Sequence, residues 1–317
     1  MSGGPRERSS LSRPRNGHVD GILNIDKPPG MTSMDVVRRV KRAIRQKRVG
    51  HGGTLDPSAT GVIAIFLGQA TRMMDYLIEG AKEYRGTVEL GVETDTYDTA
   101  GEVTATGDAS SVTMQDIENA LVAFRGAIRQ VPPMYSALKR DGKRLYELAR
   151  AGVEVEREAR KVEVMGIKLL DWTPPVVELI VTCGRGFYMR SLAHDLGRAL
   201  GCGGHLKSLV RLRNGPFKVS EAMTLEDAEQ SLADGDLRDS LHAPDTVVSH
   251  MGAAIVGKRL EETIRSGRPM PQGLRIPSSM PAQHCRVYGT DGRFVAIMTF
   301  DASLGQWQPR KVFNISY

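Results

Sequence analysis

Cysteine is scarce in this chain: Cys183, Cys202 and Cys285 are the only three among 317 residues. Three thiols cannot complete a paired disulfide framework, which points to a reducing compartment. Long apolar runs are missing as well. The longest, Val62-Ile63-Ala64-Ile65-Phe66-Leu67, falls far short of the ~20 residues a bilayer span needs. The N-terminus has no apolar signal segment, so a cytoplasmic protein is expected.

Several chemical signatures are also absent. Gly50-His51-Gly52-Gly53 is not followed by Gly-Lys-Ser/Thr, which excludes a P-loop. There is no Gly-x-Ser-x-Gly elbow and no dinucleotide fingerprint. Cys202-Gly203-Gly204-His205 is half a zinc site with no second pair to complete it. Asp95 and Asp98 before Gly101 lack the spacing and terminal Glu of a calcium loop. Neither a metal nor a cofactor is expected.

What is present is ordinary globular usage, with 40% hydrophobic and 25% charged residues. The length suits two domains, each able to bury a core. The formal net charge is +6, unevenly placed. Arg38, Arg39, Lys41, Arg42, Arg45, Lys47 and Arg48 form one basic group, and Lys207, Arg211, Arg213 and Lys218 a second. Acidic residues gather between Glu226 and Asp239. Such segregation fits a polyanionic partner approached from one side, or a solvated helix face.

Residues 1–20 carry four arginines among Ser, Pro and Gly and read as a disordered basic arm. A strand over 21–25 ends at Lys27-Pro28-Pro29-Gly30. Thr32 or Ser33 then caps a helix whose buried stripe is Val36, Val37, Val40 and Ile44. A Gly-rich loop, 51–57, leads to a buried strand over 62–67. A helix around 71–78 and a strand over 83–92 follow. Thr113 and Asp116 suggest a capping box. Strands over 161–170 and 176–183 precede a helix near 188–200 that Gly201 can end. Without a strict βαβ rhythm this is α+β. Strand candidates over 285–288, 294–300 and 311–315 make a small β-rich C-terminal domain.

Asp56 stands out. Pro57 biases it away from helical angles, so its carboxylate is either fixed at the mouth of a site or bonded to its own turn. The residues alone thus describe a cytosolic nucleic-acid-binding protein, with catalysis left open.

Six segments in order, residues 21–33, 50–61, 82–85, 132–139, 186–192 and 201–206, resemble the bacterial tRNA pseudouridine-55 synthase family (TruB). The most distinctive are Gly52-Gly53-Thr54-Leu55-Asp56-Pro57 and Pro132-Pro133-Met134-Tyr135-Ser136-Ala137-Leu138-Lys139. The likeness spans 21–215 and thins after Pro216. It implies a pseudouridine synthase fold, a mixed and mainly antiparallel sheet with flanking helices, over 21–247. A PUA-like RNA-binding domain is expected over 248–317.

The family breaks the bond from ribose C1′ to uracil N1 of tRNA uridine 55, turns the base over and joins C5 to C1′. By resemblance Asp56 is the catalytic carboxylate, whether it traps C1′, adds to the base or takes the C2′ proton. Arg190 is its partner, keeping it ionised and oriented. Tyr84 is the active-site tyrosine, His51 lies near the flipped nucleotides, and Tyr188 and Leu209 line the base pocket. Lys27 has a structural or a phosphate role. The implied partner is the tRNA T-arm stem-loop, bound by a monomer that needs no protein partner. Two other readings remain at this point. One is a non-catalytic tRNA-folding chaperone, the other the catalytic subunit of an RNA-guided particle.

Overall fold

The computed structural model describes residues 18–135, 139–140, 143–144, 155–237, 240–270 and 284–315. Residues 1–17 of the expected arm lie outside them. Val19 and Asp20, at the end of the expected arm, belong to the fold. The Val19 amide donates to Gln46 Oε1 at 2.9 Å, Gln46 Nε2 donates to the Val19 carbonyl at 3.0 Å, and Asp20 Oδ1 accepts from the Gln69 amide at 2.6 Å. Val19 and Asp20 are therefore ordered, where the composition suggests disorder.

The strands of the larger domain are β1 (Gly21–Lys27), β2 (Val49–His51), β3 (Thr60–Leu67), β4 (Lys82–Leu90), β5 (Val92–Thr94), β6 (Val103–Thr106), β7 (Gly126–Gln130), β8 (Lys139–Arg140), β9 (Lys143–Arg144), β10 (Arg160–Thr173), β11 (Val176–Cys183), β12 (Gly204–Asn214), β13 (Phe217–Lys218), β14 (Met223–Thr224) and β15 (Leu241–His242). Its helices are α1 (Ser33–Ile44), α2 (Met74–Glu79), α3 (Met114–Leu121), α4 (Met189–Ala199) and α5 (Leu225–Asp234). One sheet runs in the order β14-β1-β3-β12-β4-β11-β10-β7. Along it only β1–β14 and β3–β12 are parallel.

The apolar run Val62–Leu67 is wholly buried, as a central strand covered on both faces must be. Val36, Val37 and Val40 of α1 pack on its Ile63 and Ile65. Thr32 caps α1 in a box with Asp35, and Thr113 caps α3 with Asp116. The strand expected to reach Val92 stops at Leu90, because Gly91 turns the chain at φ +88°. The helix expected around 71–78 divides into a 3-10 turn over Gly68–Met73 and α2. Where β3 meets β12, a Cβ on Gly61 would lie 2.3 Å from the Arg211 carbonyl oxygen, so only glycine permits that pairing.

The C-terminal region adds β16 (Gly252–Val256), α6 (Lys258–Arg265), β17 (His284–Gly289), β18 (Phe294–Asp301) and β19 (Gln306–Val312) in a four-stranded sheet. The sequence reading missed β16 and α6 and placed the last strand too late. Pro309 masks that strand, and it is tolerated because β19 lies at the sheet edge. Phe294, Ile297, Phe313 and Ile315 pack with Ile22, Val62, Phe66 and Phe217, so the two sheets share one core. Among the described residues, no helix is long and apolar enough to cross a membrane.

Candidate active site

Asp56 lies in the loop between β2 and β3, and that loop is tied from three directions. From the β1–α1 turn, Lys27 Nζ and the Gly30 amide donate to the Pro57 carbonyl at 3.1 and 2.8 Å. From the first turn of α1, Ser33 Oγ accepts from the Leu55 amide at 2.8 Å and donates to the Leu55 carbonyl at 3.2 Å. From β12, Arg211 donates to the Gly53 and Thr54 carbonyls, and Asn214 Nδ2 to that of Gly52 at 3.0 Å. A carboxylate on such a loop is held rather than free to swing.

Arg190, in the first turn of α4, meets Asp56 with two nitrogens. Its Nε lies 2.9 Å from Asp56 Oδ2, and its Nη2 donates to Oδ1 at 3.1 Å. Only 5% of the Arg190 side chain is exposed, against 36% for Asp56, so the acid keeps an open side toward solvent. Arg190 is itself fixed by donating to the Tyr135 carbonyl at 2.9 Å and by Asp98, whose Oδ2 is 3.7 Å away. Burial raises the Asp56 pKa; Arg190 opposes this and Asp98 adds to it. The expected pair is therefore present, but Arg190 moderates the shift rather than reversing it.

Tyr84 on β4 stands directly opposite Arg211 on β12, and Gly86 opposite Leu209. These four positions share one face of the sheet. Tyr84 and Leu209 are half-buried against the main core, and Tyr84 lies within reach of the Asp56 charge. Burial raises the Tyr84 pKa, with Arg211 pulling the other way. Tyr188 is held where α4 begins: its amide donates to Gln130 Oε1 at 2.8 Å, and Gln130 Nε2 donates to its carbonyl at 3.0 Å. His51 ends β2 opposite Ile65, and burial lowers its pKa.

Lys27 takes the structural side of its two readings. It is fully buried, and its ammonium donates to the carbonyls of Pro28, Met31 and Pro57 at 2.8, 2.7 and 3.1 Å. Its hydrogens are engaged within the protein, as a structural role requires. The basic groups also need correcting. Arg39 reaches Glu226 and Glu229 of α5, so part of the acidic stretch neutralises part of the first group. Lys207, Arg213 and Lys218 pair with Glu89, Glu83 and Glu221. Arg211 is buried outright, at 1% exposure. Lys41, Arg42, Arg45, Lys47 and Arg48 remain exposed, and among the described residues they form no ion pair. They lead directly into β2 and His51.

Two family models match the chain: "TruB family pseudouridylate synthase (N terminal domain)" over residues 41–189 and "tRNA pseudouridylate synthase B C-terminal domain" over 190–254. The chain belongs to the TruB pseudouridine synthase family. A relative named tRNA pseudouridine synthase B from Dehalococcoides mccartyi (strain ATCC BAA-2266 / KCTC 15142 / 195) is 46% identical, covering 93% of this chain and 97% of its own. One of the same name from Geobacter sulfurreducens is 45% identical over 91% and 95%. A chain of a solved Cbf5-Nop10-Gar1 complex matches at TM-score 0.72 and 27% identity, covering 96% of this chain and 88% of that one. The pseudouridine synthase fold with a β-rich C-terminal domain is thereby shown.

Within this TruB chain the sequence reading missed two site residues. Asp98 was weighed only as a calcium ligand, and Arg211 only as surface charge. Asp98 carries no signal in its letters, because the left-handed backbone of Tyr97 before it, at φ +63°, is a property of the fold. Arg211 carries none, since a buried arginine and an exposed one look alike in a strand.

Proposed function

We propose that this protein isomerises uridine 55 in the T-loop of tRNA to pseudouridine, acting alone and as a monomer. The observation that carries the reading is Asp56, clamped by Arg190 on a loop tied from three sides, with one side open to solvent and Tyr84 within reach of its charge. A uridine stacked in a folded loop must leave its stack to meet that carboxylate, at a cost of a few kcal/mol. Stacking on an aromatic ring returns roughly 1–3 kcal/mol per base, and Tyr84 is placed to give it. Asp56 then faces C1′, where it traps the electron-poor carbon, adds to the ring or removes the C2′ proton. Arg190 keeps both carboxylate oxygens oriented throughout. Atoms leave and return within one molecule.

Phosphate contacts fall to the exposed basic patch from Lys41 to Arg48, which supplies position and salt-dependent affinity more than sequence choice. The C-terminal sheet reads as a PUA-like RNA-binding domain reaching toward the acceptor end. Three free, buried cysteines support a cytoplasmic place of action.

The test is to map pseudouridine in unmodified tRNA incubated with the purified protein. Modification at position 55 by wild type, and none by Asp56→Asn with binding kept within a few-fold, is the expected outcome. Modification in another loop overturns the substrate while sparing the reaction. Turnover by Asp56→Asn overturns the residue, and dependence on an added guide RNA overturns independent action.

A further inference from the structure

Among the described residues, three buried cations surround the site without a carboxylate in ion-pair reach. Arg211 is 1% exposed, Lys27 0% and Lys82 7%. Arg211 Nε donates to the Val62 carbonyl at 2.7 Å, and its two Nη atoms donate to those of Thr54 and Gly53 at 3.3 and 3.1 Å. Lys82 Nζ donates to the carbonyls of Gly80, at 2.6 Å, and Ile78. Lys27 is caged by carbonyls as described. Of the carboxylates nearby, Asp56 and Asp98 both lean on a fourth cation, Arg190, while Asp56, Asp26 and Asp35 act on Lys27 and Glu79 acts on Lys82 from beyond ion-pair contact.

Burying an ion costs several kcal/mol after relaxation, and without a counter-ion little offsets that. Packing alone would be served by leucine or methionine. The placement is also specific. Lys82 and Tyr84 alternate onto one face of β4, and Arg211 stands opposite Tyr84 on the neighbouring strand. The field of Arg211 reaches Lys27, Lys82 and His51, adding to the lowering that burial causes, and opposes the rise that burial causes at Tyr84.

The chemistry needs such a field. Heterolysis of C1′–N1 leaves the bonding pair on N1, spread over O2 and O4 of the ring. The carbon left behind is trapped by an Asp56 oxygen or loses its C2′ proton to it. If Asp56 instead adds to the ring, an enolate forms. On every route the base is anionic until C5 donates its electron pair to C1′; the bond that Asp56 had made to C1′ or to the ring then breaks, or the C2′ proton it had taken returns, and C5 gives up its proton as N1 gains one. Resting on the function proposed above, we propose that Arg211, backed by Lys82 and Lys27, forms a fixed positive floor beside the base pocket that stabilises the uracil ring while it carries negative charge. Arg211 is a positioning residue here: it is sealed under the Gly53 and Thr54 carbonyls, acts through its field, and holds the Asp56 loop.

The test compares single-turnover formation of the C1′–C5 bond in a T-arm stem-loop carrying uridine, or 5-fluorouridine, at the target. Fluorine makes the base a better-stabilised anion. The assay is run at pH 7, below the value of about 8 to which burial lowers Lys27 and Lys82. Arg211→Gln keeps an amide donor and loses the charge, whereas Arg211→Lys keeps the charge and loses the fork. We expect Arg211→Gln to slow uridine about 100-fold, Arg211→Lys about 10-fold or less, and RNA affinity to stay within about 3-fold. The loss in Arg211→Gln should be about ten times smaller on 5-fluorouridine. Equal rates for the two variants, or equal losses on the two bases, overturn the proposal. Should Arg211→Gln fail to fold, Lys82→Gln carries the same two-base comparison, with a loss of a few-fold confined to uridine expected and equal losses overturning it. A wild-type protein inactive on the stem-loop defeats the functional reading itself; an active one with insensitive variants defeats only the floor.

Discussion

The ammonium of Lys27 lies 3.1 Å from the carbonyl of Pro57, the residue after Asp56. The turn at the end of β1 thus supports the Asp56 loop from behind. Lys27→Met should leave the carbonyls of Pro28 and Met31 without this donor, each orphaned acceptor costing about 1–3 kcal/mol, while the Pro57 carbonyl keeps the Gly30 amide. The expected outcome is a lower urea midpoint and a large loss of pseudouridine formation, with RNA affinity within a few-fold of wild type. Unchanged stability with weakened RNA binding would return Lys27 to a phosphate role.

Asp56 makes a second prediction, about stability. Burial raises its folded pKa above the unfolded value, with Arg190 opposing. Between those two values the native state holds more protons than the unfolded state, so stability falls as pH rises through that window. Above it the cost is complete. Asp56→Asn should therefore unfold at higher urea than wild type at pH 7. The difference should vanish once the pH falls below the ordinary carboxylate range. A variant less stable at pH 7 would mean that the Arg190 contact outweighs burial at this position.

Asp98 bears on the same titration through charge. It pushes the Asp56 pKa upward, so Asp98→Asn should move the acidic limb of the pH–rate profile to lower pH. Arg190→Met should move it to higher pH. Single-turnover rates measured from acid to neutral pH distinguish these displacements from a uniform loss of rate, which would indicate only a misplaced side chain.

What the sequence made legible here was whatever local rules govern. The Thr32–Asp35 and Thr113–Asp116 boxes, the buried run of β3 and the stiff turn at Asp56–Pro57 each depend on neighbours within a few residues. The Arg190–Asp56 contact joins residues 134 positions apart, and only the family resemblance indicated it. Charge was the least legible property. Arg39, Arg211 and Arg45 are identical letters, yet one crosses to α5, one is sealed beneath a loop and one faces solvent. Which fate applies depends on tertiary packing that no window of sequence contains.

That division of the basic residues predicts a selective salt effect. Neutralising Arg45, Lys47 and Arg48 together should reduce the slope of log affinity against log salt by about one for each phosphate no longer neutralised. The rate with saturating RNA should hardly change. Neutralising Lys207 and Lys218, which already pair with Glu89 and Glu221, should alter the slope much less. Binding titrations at several salt concentrations decide it, and equal slopes for the two sets of variants would remove the patch from the RNA interface.

The shared core predicts how the molecule unfolds. Phe313 is fully buried and stacks on Phe294 with ring centroids 4.9 Å apart, inside a cluster that includes Ile22, Val62 and Phe66 of the larger sheet. Arg72, Lys311 and Gln69 add hydrogen bonds across the same junction. Two bodies joined through one apolar cluster should lose structure together. The chain has two tryptophans, Trp172 on β10 and Trp307 on β19, so one reports on each sheet. In Trp172→Phe and Trp307→Phe variants the remaining indole should show the same urea midpoint. Phe313→Ala should lower both midpoints together, by about 3–5 kcal/mol of stability. If only the Trp307 signal moves, the C-terminal sheet unfolds on its own and the junction is a contact between independent domains.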